Sequence, residues 1–123
     1  MKTSKRKLGD LGEELACGFL TSRGQTILER NWRTGHLEVD VISADGAGLH
    51  FVEVKSRTAP VSADPLSAVT LQKMKRMSAA ALSYVRGRRM SGTEMFFDLI
   101  TVVFNGGQAD IKYYPQAFLP NIY

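Results

Sequence analysis

Cysteine is nearly absent from this 123-residue chain. Cys17 is the only one, so no internal disulfide can form and no cysteine-rich zinc site exists. Long apolar runs are also missing, because no stretch approaches the ~20 apolar residues that a membrane-spanning helix needs. The basic start of the chain is followed by LGDLGEELACGF, whose three acids interrupt what a signal peptide would need as an apolar segment. We therefore expect no membrane partner and a location in the reducing cytoplasm.

The chain also lacks repeats, linkers and low-complexity tracts. Its length and its apolar content of 44% are those of one globular domain, which we assign to residues 1–123. The prediction is thus a single packed core without internal boundaries.

Positive charge is in modest excess but unevenly placed. The net charge is +4, yet the segment 55–89 alone carries +7, which leaves −3 for the rest. A second basic cluster opens the chain, formed by Lys2, Lys5, Arg6 and Lys7. Such concentration favours a polyanionic partner, nucleic acid above all and an anionic membrane as its rival. A basic surface that only keeps the protein in solution is the competing interpretation.

Hydrophobic periodicity predicts two helices and five strands. The helices are expected at 7–23, ending before Gly24, and at 66–86. The strands are expected at 25–33, 37–43, 49–55, 96–104 and 109–114. The predicted fold class is therefore α/β, with a mixed central sheet flanked by helices in the order α-β-β-β-α-β-β.

Four charged residues lie inside the strands predicted at 37–43 and 49–55. Residues two apart on a strand share a face, so Glu38 points with Asp40, and Glu53 with Lys55. The apolar residues between them predict one buried face, formed by Leu37, Val39, Val41, Val52 and Val54. If the strands pair as a hairpin, the carboxylates converge, and Mg²⁺ or Mn²⁺ would relieve their repulsion. Two solvated strand faces with weak surface ion pairs are the alternative.

Two helical positions point toward the same region. Glu13 falls at the border of the first helix's buried arc, from which a carboxylate can reach across the sheet. Lys73 falls within the apolar arc of the second helix, if that helix begins at Leu66. A lysine there either extends its ammonium to solvent or meets an anion, and the sequence leaves both open.

These residues resemble a known nuclease signature. Asp40, followed after a turn by Glu53-Val54-Lys55, resembles the D…ExK motif of the PD-(D/E)xK nuclease superfamily, which includes archaeal Holliday-junction resolvases. Nearly the whole chain is similar to the YraN-type family of small bacterial proteins. The matches are Gly9-x-x-Gly12-Glu13-x-x-Ala16, Gly24, Asn31, Glu38-Val39-Asp40, Phe51-Val52-Glu53-Val54-Lys55-x-Arg57, Lys73 and Phe97-Asp98. The resemblance implies a restriction-endonuclease-like core.

It also implies metal-assisted hydrolysis of a phosphodiester. The implied ligands of Mg²⁺ (or Mn²⁺) are Asp40, Glu53, Glu38 and the backbone carbonyl of Val54. Lys55 would orient the attacking water or stabilise the transition state, and Glu13 would complete the outer shell of the metal. The implied nucleic-acid contacts are Arg57, Lys73, Lys75 and Arg76.

The function implied by the resemblance is a Mg²⁺-dependent nuclease acting on DNA, including branched or junction DNA. Junction resolvases act as dimers, so a homodimer is also implied, although no interface is legible in the sequence. Leu37 stands where the family has glycine, which motivates a second hypothesis: a non-catalytic nucleic-acid-binding module that retains the fold. A third is a scaffold whose basic face docks an acidic protein.

Overall fold

The computed structural model describes residues 4–118, so Lys2 of the N-terminal basic cluster lies outside the described residues. The element order is α-β-β-β-α-β-β, as the sequence predicts. The elements are α1 (Ser4–Ser22), β1 (Thr26–Thr34), β2 (Leu37–Asp45), β3 (Gly48–Thr58), α2 (Leu71–Gly87), β4 (Met95–Asn105) and β5 (Gln108–Tyr114), with a 3-10 turn at Pro65–Ala68. None of the helices within 4–118 is long and apolar enough to cross a membrane.

The five strands form one mixed sheet in the order β1-β2-β3-β4-β5. Neighbouring strands are antiparallel except β3 and β4, which run parallel from Leu49↔Met95 to Thr58↔Phe104. A parallel pair needs a crossover connection, and α2 provides it. The predicted mixed sheet flanked by helices is confirmed.

Each helix covers one face of the sheet, which gives two apolar clusters. The cluster at α1 contains Ala16, Cys17, Leu20, Val41, Val52, Ile100 and Val102. The cluster at α2 contains Val39, Ile42, Leu49, Phe51, Met77, Ala80, Ala81, Tyr84, Val85, Phe97, Leu99 and Phe118. Because β4 is covered on both faces, its central residues form a nearly continuous apolar run, which only Asp98 and Thr101 interrupt.

The close approach of α1 to β3 depends on a glycine. Gly12 is buried, and a Cβ at this position would overlap the hydroxyl of Ser56 on β3. The missing side chain lets the helix lie low over the sheet. The next residue, Glu13, is thereby held near the carboxylates of β2.

The second helix begins later than its apolar spacing predicts. α2 begins at Leu71 rather than at 66, because Thr70 caps it by accepting the Lys73 N–H at 3.1 Å. Asp64 caps the separate 3-10 turn that precedes it. Leu66, predicted to lie in the buried arc, is 46% exposed. The apolar spacing at 66–70 therefore belongs to the connecting segment.

The prediction of a single buried face on β2 and β3 is also wrong. Val41, Val52 and Val54 lie at the α1 cluster, whereas Leu37 and Val39 lie at the α2 cluster. On β3 the alternation is regular. On β2 the apolar side chains change face between Val39 and Val41, which is the position of Asp40.

A buried polar network links β3, β4 and β5. Asp98 is fully buried, and its carboxylate accepts hydrogen bonds from the Tyr113 hydroxyl and, at 2.9 Å, from the Gln116 N–H. His50 Nδ1 lies 2.7 Å from Asp98, and His50 Nε2 lies 2.9 Å from Asp45. Burial and the hydrogen bond to Asp98 raise the pKa of Tyr113. The network fixes the segment after β5 to the centre of the sheet.

Candidate active site

The site lies where β1 and β2 change face together. Val41 and its β1 partner Arg30 face α1, whereas Val39 and its β1 partner Trp32 face α2. Between these two pairs lie Asn31 on β1 and Asp40 on β2. Asn31 has a φ of 52°, in the left-handed region that asparagine adopts more readily than most residues. This local reversal places Asp40 at the turning point of the strand.

Two carboxylates lie side by side at this point. In the described chain the β2–β3 ladder ends at Val41↔Val52, and Asp40 and Glu53 come directly after it. Asp40 Oδ2 accepts the Val54 N–H at 2.8 Å. Burial and the charge of the adjacent Glu53 raise the pKa of Asp40 to about 8, although the Val54 hydrogen bond opposes the rise. Burial and the neighbouring charge therefore favour the protonated form of Asp40 until a cation offsets them.

Two lysines contact the second carboxylate. The Glu53 side chain is only 12% exposed; Lys73 Nζ lies 3.0 Å from its Oε2, and Lys55 Nζ lies 4.0 Å from its Oε1. The Thr70 cap sets the start of α2 so that Lys73 falls in the first turn, above Glu53. Of the two interpretations that the sequence leaves open for Lys73, the structure supports an ammonium that meets an anion.

A cavity of about 300 Å³ opens onto these groups, and we call it the carboxylate cavity. Its charged lining is formed by Glu38, Asp40, Glu53, Lys73 and Arg76. The structure thus brings together three of the predicted metal ligands and two of the predicted nucleic-acid contacts. Acidic groups on the sheet face basic groups on α2 across the opening.

Glu13 lies in an adjoining cavity, which shares Glu38 with the first. Burial raises the pKa of Glu13, and a hydrogen bond from the Asn31 side chain counteracts part of that rise. The negative charge of Glu13 in turn contributes to the raised pKa of Asp40. Glu13 is therefore coupled to the carboxylate pair electrostatically rather than by direct contact.

The remaining predicted site residues are more distant. Arg57 lies two residues after Lys55 on the same face of β3, in a separate cavity. Lys75 is exposed on α2 and lines neither cavity described so far. Val54 contacts the site through its N–H, which bonds to Asp40, whereas its carbonyl was the predicted ligand. Within 4–118, no three Asp, Glu, His or Cys side chains cluster closely enough to form a metal-binding group.

Sequence reasoning gave Asn31 no role and did not predict the ion pair between Lys73 and Glu53. Asn31 was one of the residues that match the family pattern. The available signal was an asparagine within a predicted strand, because asparagine tolerates the left-handed backbone that marks an irregularity. Lys73 pairs with Glu53 in this structure, and its expected contact with phosphate stays a prediction. Thr70 was the available signal for the true helix start.

Comparison with known proteins places the chain in a family. A family model described as "Uncharacterised protein family UPF0102" matches residues 12–102, about three quarters of the chain. The chain belongs to this family. The part that matches UPF0102 includes Glu13, both carboxylates of the pair, Lys55 and all of α2.

Other UPF0102 proteins are similar over nearly their whole length. The relative from Geobacter metallireducens is 37% identical over 118 residues, which is 96% of this chain and 97% of the relative. The relative from Bacteroides thetaiotaomicron is 38% identical over 117 residues, 95% and 96% of the two chains. That from Rhodococcus opacus is 38% identical over 112 residues, 90% and 95%. The predicted membership of a family of small bacterial proteins is confirmed. The family name states no function, so the function is inferred from the site.

Proposed function

We propose that this UPF0102 chain is a divalent-metal-dependent nuclease of the PD-(D/E)xK superfamily that hydrolyses phosphodiester bonds in DNA. The observation that carries the proposal is the adjacent pair Asp40 and Glu53, nearly buried, with the ammonium groups of Lys55 and Lys73 beside it. Burial and the neighbouring carboxylate raise the pKa of Asp40, which lowers stability at neutral pH, and a bound cation would offset this loss.

The donor set suits Mg²⁺ or Mn²⁺. Asp40 and Glu53 offer only oxygen ligands, which hard divalent cations prefer. Mg²⁺ is commonly held by one or two carboxylates and completes its shell with water and substrate phosphate. A pair rather than a group of three is therefore sufficient. The bound ion would supply polarisation of the scissile phosphate and a lowered pKa for the attacking water.

The charged residues in and around the carboxylate cavity have distinct proposed roles. Lys55 points to the same side of β3 as Glu53, so its ammonium can stabilise the charge that develops on the phosphate. Arg76 lies on the α2 side of the cavity and can contact a flanking phosphate. Lys73 balances Glu53 until a cation binds, and is then free to contact the substrate. Glu38 and Glu13 add negative charge that favours a cation in the cavity.

The test is a cleavage assay with single-stranded, duplex and four-way-junction DNA in Mg²⁺ or Mn²⁺. We expect at least one substrate to be cut, and we expect Asp40→Asn, Glu53→Gln and Lys55→Gln each to slow cleavage on the order of 10²-fold or more. Chelation of the metal should abolish cleavage of the same substrate.

Matched controls separate the site from general charge effects. Glu94 is exposed just before β4 and Arg23 is exposed just after α1, so Glu94→Gln and Arg23→Gln remove one negative and one positive charge outside the carboxylate cavity. Their cleavage rates should stay within about twofold of wild type, as is usual for exposed sites. If no substrate is cut, or if the site variants cut as well as the controls, the nuclease proposal is wrong.

One observation favours the alternative of a binding module without turnover. Leu37 lines the carboxylate cavity, and the Lys73 ammonium already neutralises Glu53. A site that needs no cation would bind DNA with an affinity that decreases as salt increases, and would do so equally well after Asp40→Asn. Salt-dependent binding without cleavage, retained in that variant, would support this second function.

A further inference from the structure

A second concave region lies beside the carboxylate cavity and has no role in the chemistry described above. It encloses about 400 Å³ between the sheet and the connecting segment 61–68. Lys55 lines this region, and its ammonium lies 4.0 Å from Glu53, which lines the carboxylate cavity, so this side chain connects the two regions. We call this region the lateral pocket.

Strand register shows what forms its floor. Lys55 on β3 is paired with Thr101 on β4, which is paired with Lys112 on β5. Directly paired residues point to the same face, and here it is the face that carries Glu53. Two residues of strand separate Lys55 from Glu53, a distance of about 7 Å. The floor is therefore a row of two cations and a hydroxyl next to the carboxylate pair.

The next row and the connecting segment complete the pocket. Arg57 lies one row further along β3 and also lines it, as do Val61, Ala63 and Ala68 of the segment. Among residues 4–118, neither Arg57 nor Lys112 has an ion-pair partner within 4.0 Å. The lining also includes the carboxylates of Asp64 and Asp110, so the pocket combines an aliphatic wall with three cations and two acids. The two lysines, Lys55 and Lys112, lie in the row nearer the carboxylate pair.

This combination suits a phosphate attached to a flat or apolar group. The cations match a phosphate, and the aliphatic wall can cover a base or a sugar. A volume of about 400 Å³ lies in the lower part of the range of small-molecule pockets, roughly 300–1,000 Å³. Such a volume can enclose one nucleotide, whereas a base pair within a duplex cannot enter a closed pocket without leaving its stack.

We propose that the lateral pocket holds one unpaired nucleotide next to the phosphate at the carboxylate pair. This inference rests on the proposed nuclease function and narrows its substrate class to nucleic acid that presents an unpaired nucleotide at the cut, such as a single strand, a flap or an open junction. The aliphatic wall contacts the nucleotide without base-specific hydrogen bonds, so recognition is tolerant of sequence.

The experiment measures binding of a fluorescent single-stranded dodecanucleotide and of a blunt duplex of the same length, in EDTA. Lys112→Gln removes one phosphate contact and should weaken single-strand binding about tenfold while changing duplex binding less than twofold. Ala63→Trp fills the pocket without altering charge and should have the same effect. Arg23→Gln is the matched control, because Arg23 is exposed just after α1 and lines neither cavity, and it should change both affinities equally and by less than twofold. Melting temperatures establish that each variant is folded.

Two other results of this binding experiment would contradict the proposed role of the lateral pocket. If Lys112→Gln weakens single-strand binding no more than Arg23→Gln does, or weakens binding of both substrates by the same factor, the proposal is wrong. Amide chemical shifts provide an independent readout, because the single strand should shift Ser67, Ala68 and Thr101, which line the pocket. Shifts confined to other parts of the sheet would contradict it.

The same assay keeps this inference separate from the nuclease proposal. Because it contains no divalent ion and measures no turnover, it can be repeated in the Asp40→Asn background. If the protein cuts no substrate but Lys112→Gln selectively weakens single-strand binding, the pocket proposal is supported and the nuclease proposal is contradicted. If the protein cuts DNA but Lys112→Gln causes no selective loss of single-strand binding, the nuclease proposal is supported and the pocket proposal is contradicted.

Discussion

Asp40 and Asp98 are aspartates on two strands of one sheet, yet their surroundings differ in kind. Asp98 is fully buried and has three hydrogen-bonding neighbours: His50, the Tyr113 hydroxyl and the Gln116 N–H. Asp40 has one backbone donor, from Val54, and a second carboxylate beside it. Asp98 lies within the fold, whereas Asp40 lines a cavity.

The difference separates a structural carboxylate from a candidate functional one. A buried carboxylate surrounded by donors stabilises the fold, and its removal leaves those donors unsatisfied. A carboxylate beside another, with few donors, lowers stability and is kept for what it binds. Substitutions at the two positions should therefore have opposite effects on stability.

The largest expected effect is that of Asp98→Ala. The change leaves His50, Tyr113 and the Gln116 N–H without their acceptor inside the protein, so we expect a loss of about 3–5 kcal/mol in the free energy of unfolding. Urea denaturation measures it. Asp98→Asn should lose less, because its side-chain oxygen can still accept a hydrogen bond. A loss below about 1 kcal/mol in the alanine variant would show that Asp98 is not the structural member of the comparison.

Asp40→Asn should instead stabilise the metal-free protein, increasingly so as pH rises. The pKa of Asp40 is raised from 3.8 to about 8 in the folded state, so between these values the folded protein holds a proton that the unfolded chain has released. Stability from this group therefore decreases as pH rises through that window. The asparagine does not titrate, and its advantage over wild type should grow by about 3–4 kcal/mol between pH 5 and pH 8.

The measurement is urea denaturation in EDTA at several pH values. Asp110→Asn is the matched control, because Asp110 is exposed on β5 and the same chemical change there should give no growth with pH. An advantage for Asp40→Asn that is constant from pH 5 to pH 8 would contradict the raised pKa and weaken the contrast with Asp98.

Much of the fold could be predicted from the sequence, because it depends on local patterns. The alternation of apolar residues in β2 and β3, the apolar run of β4 and the glycine after α1 each indicate their element directly. The start of α2 was missed because Leu66 continues the apolar spacing into the connecting segment, while the deciding signal was the Thr70 cap. Where apolar spacing would allow more than one start for a helix, the capping residue shows which start is correct.

The candidate site was predicted only in part, because its remaining features are not local. The convergence of Asp40 and Glu53 followed from strand pairing. The face reversal of β2 at Asp40 violates the period of two that the prediction assumed, and it occurs together with the left-handed Asn31 on the neighbouring strand. The Lys73–Glu53 ion pair depends on how α2 docks, which no spacing in the sequence specifies.

Two glycines of α1 provide a test of how the site is supported. Gly12→Ala should destabilise the protein by about 1–2 kcal/mol, because its Cβ overlaps the Ser56 hydroxyl and pushes α1, with Glu13, away from the sheet. Gly18 has open space around its Cβ position, so Gly18→Ala should stabilise the helix by up to about 1 kcal/mol. Urea denaturation compares the two variants, and Ser56→Gly should restore part of the loss in the first. Equal effects at both glycines would exclude this close contact.

The smallest expected effect is at Lys73, and it bears on what the carboxylate pair is for. Lys73→Gln removes the ammonium from Glu53, and because the Lys73 side chain is 33% exposed, screening limits the loss in EDTA to roughly 0.5–1 kcal/mol. The same change leaves Glu53 free for a cation, so Mg²⁺ should raise the melting temperature of Lys73→Gln more than that of wild type. Lys75→Gln should show neither effect. A stability loss without any gain in the response to Mg²⁺ would mean that Lys73 and Glu53 form a purely structural ion pair, and Asp40 with its neighbour would then belong to the same class as Asp98.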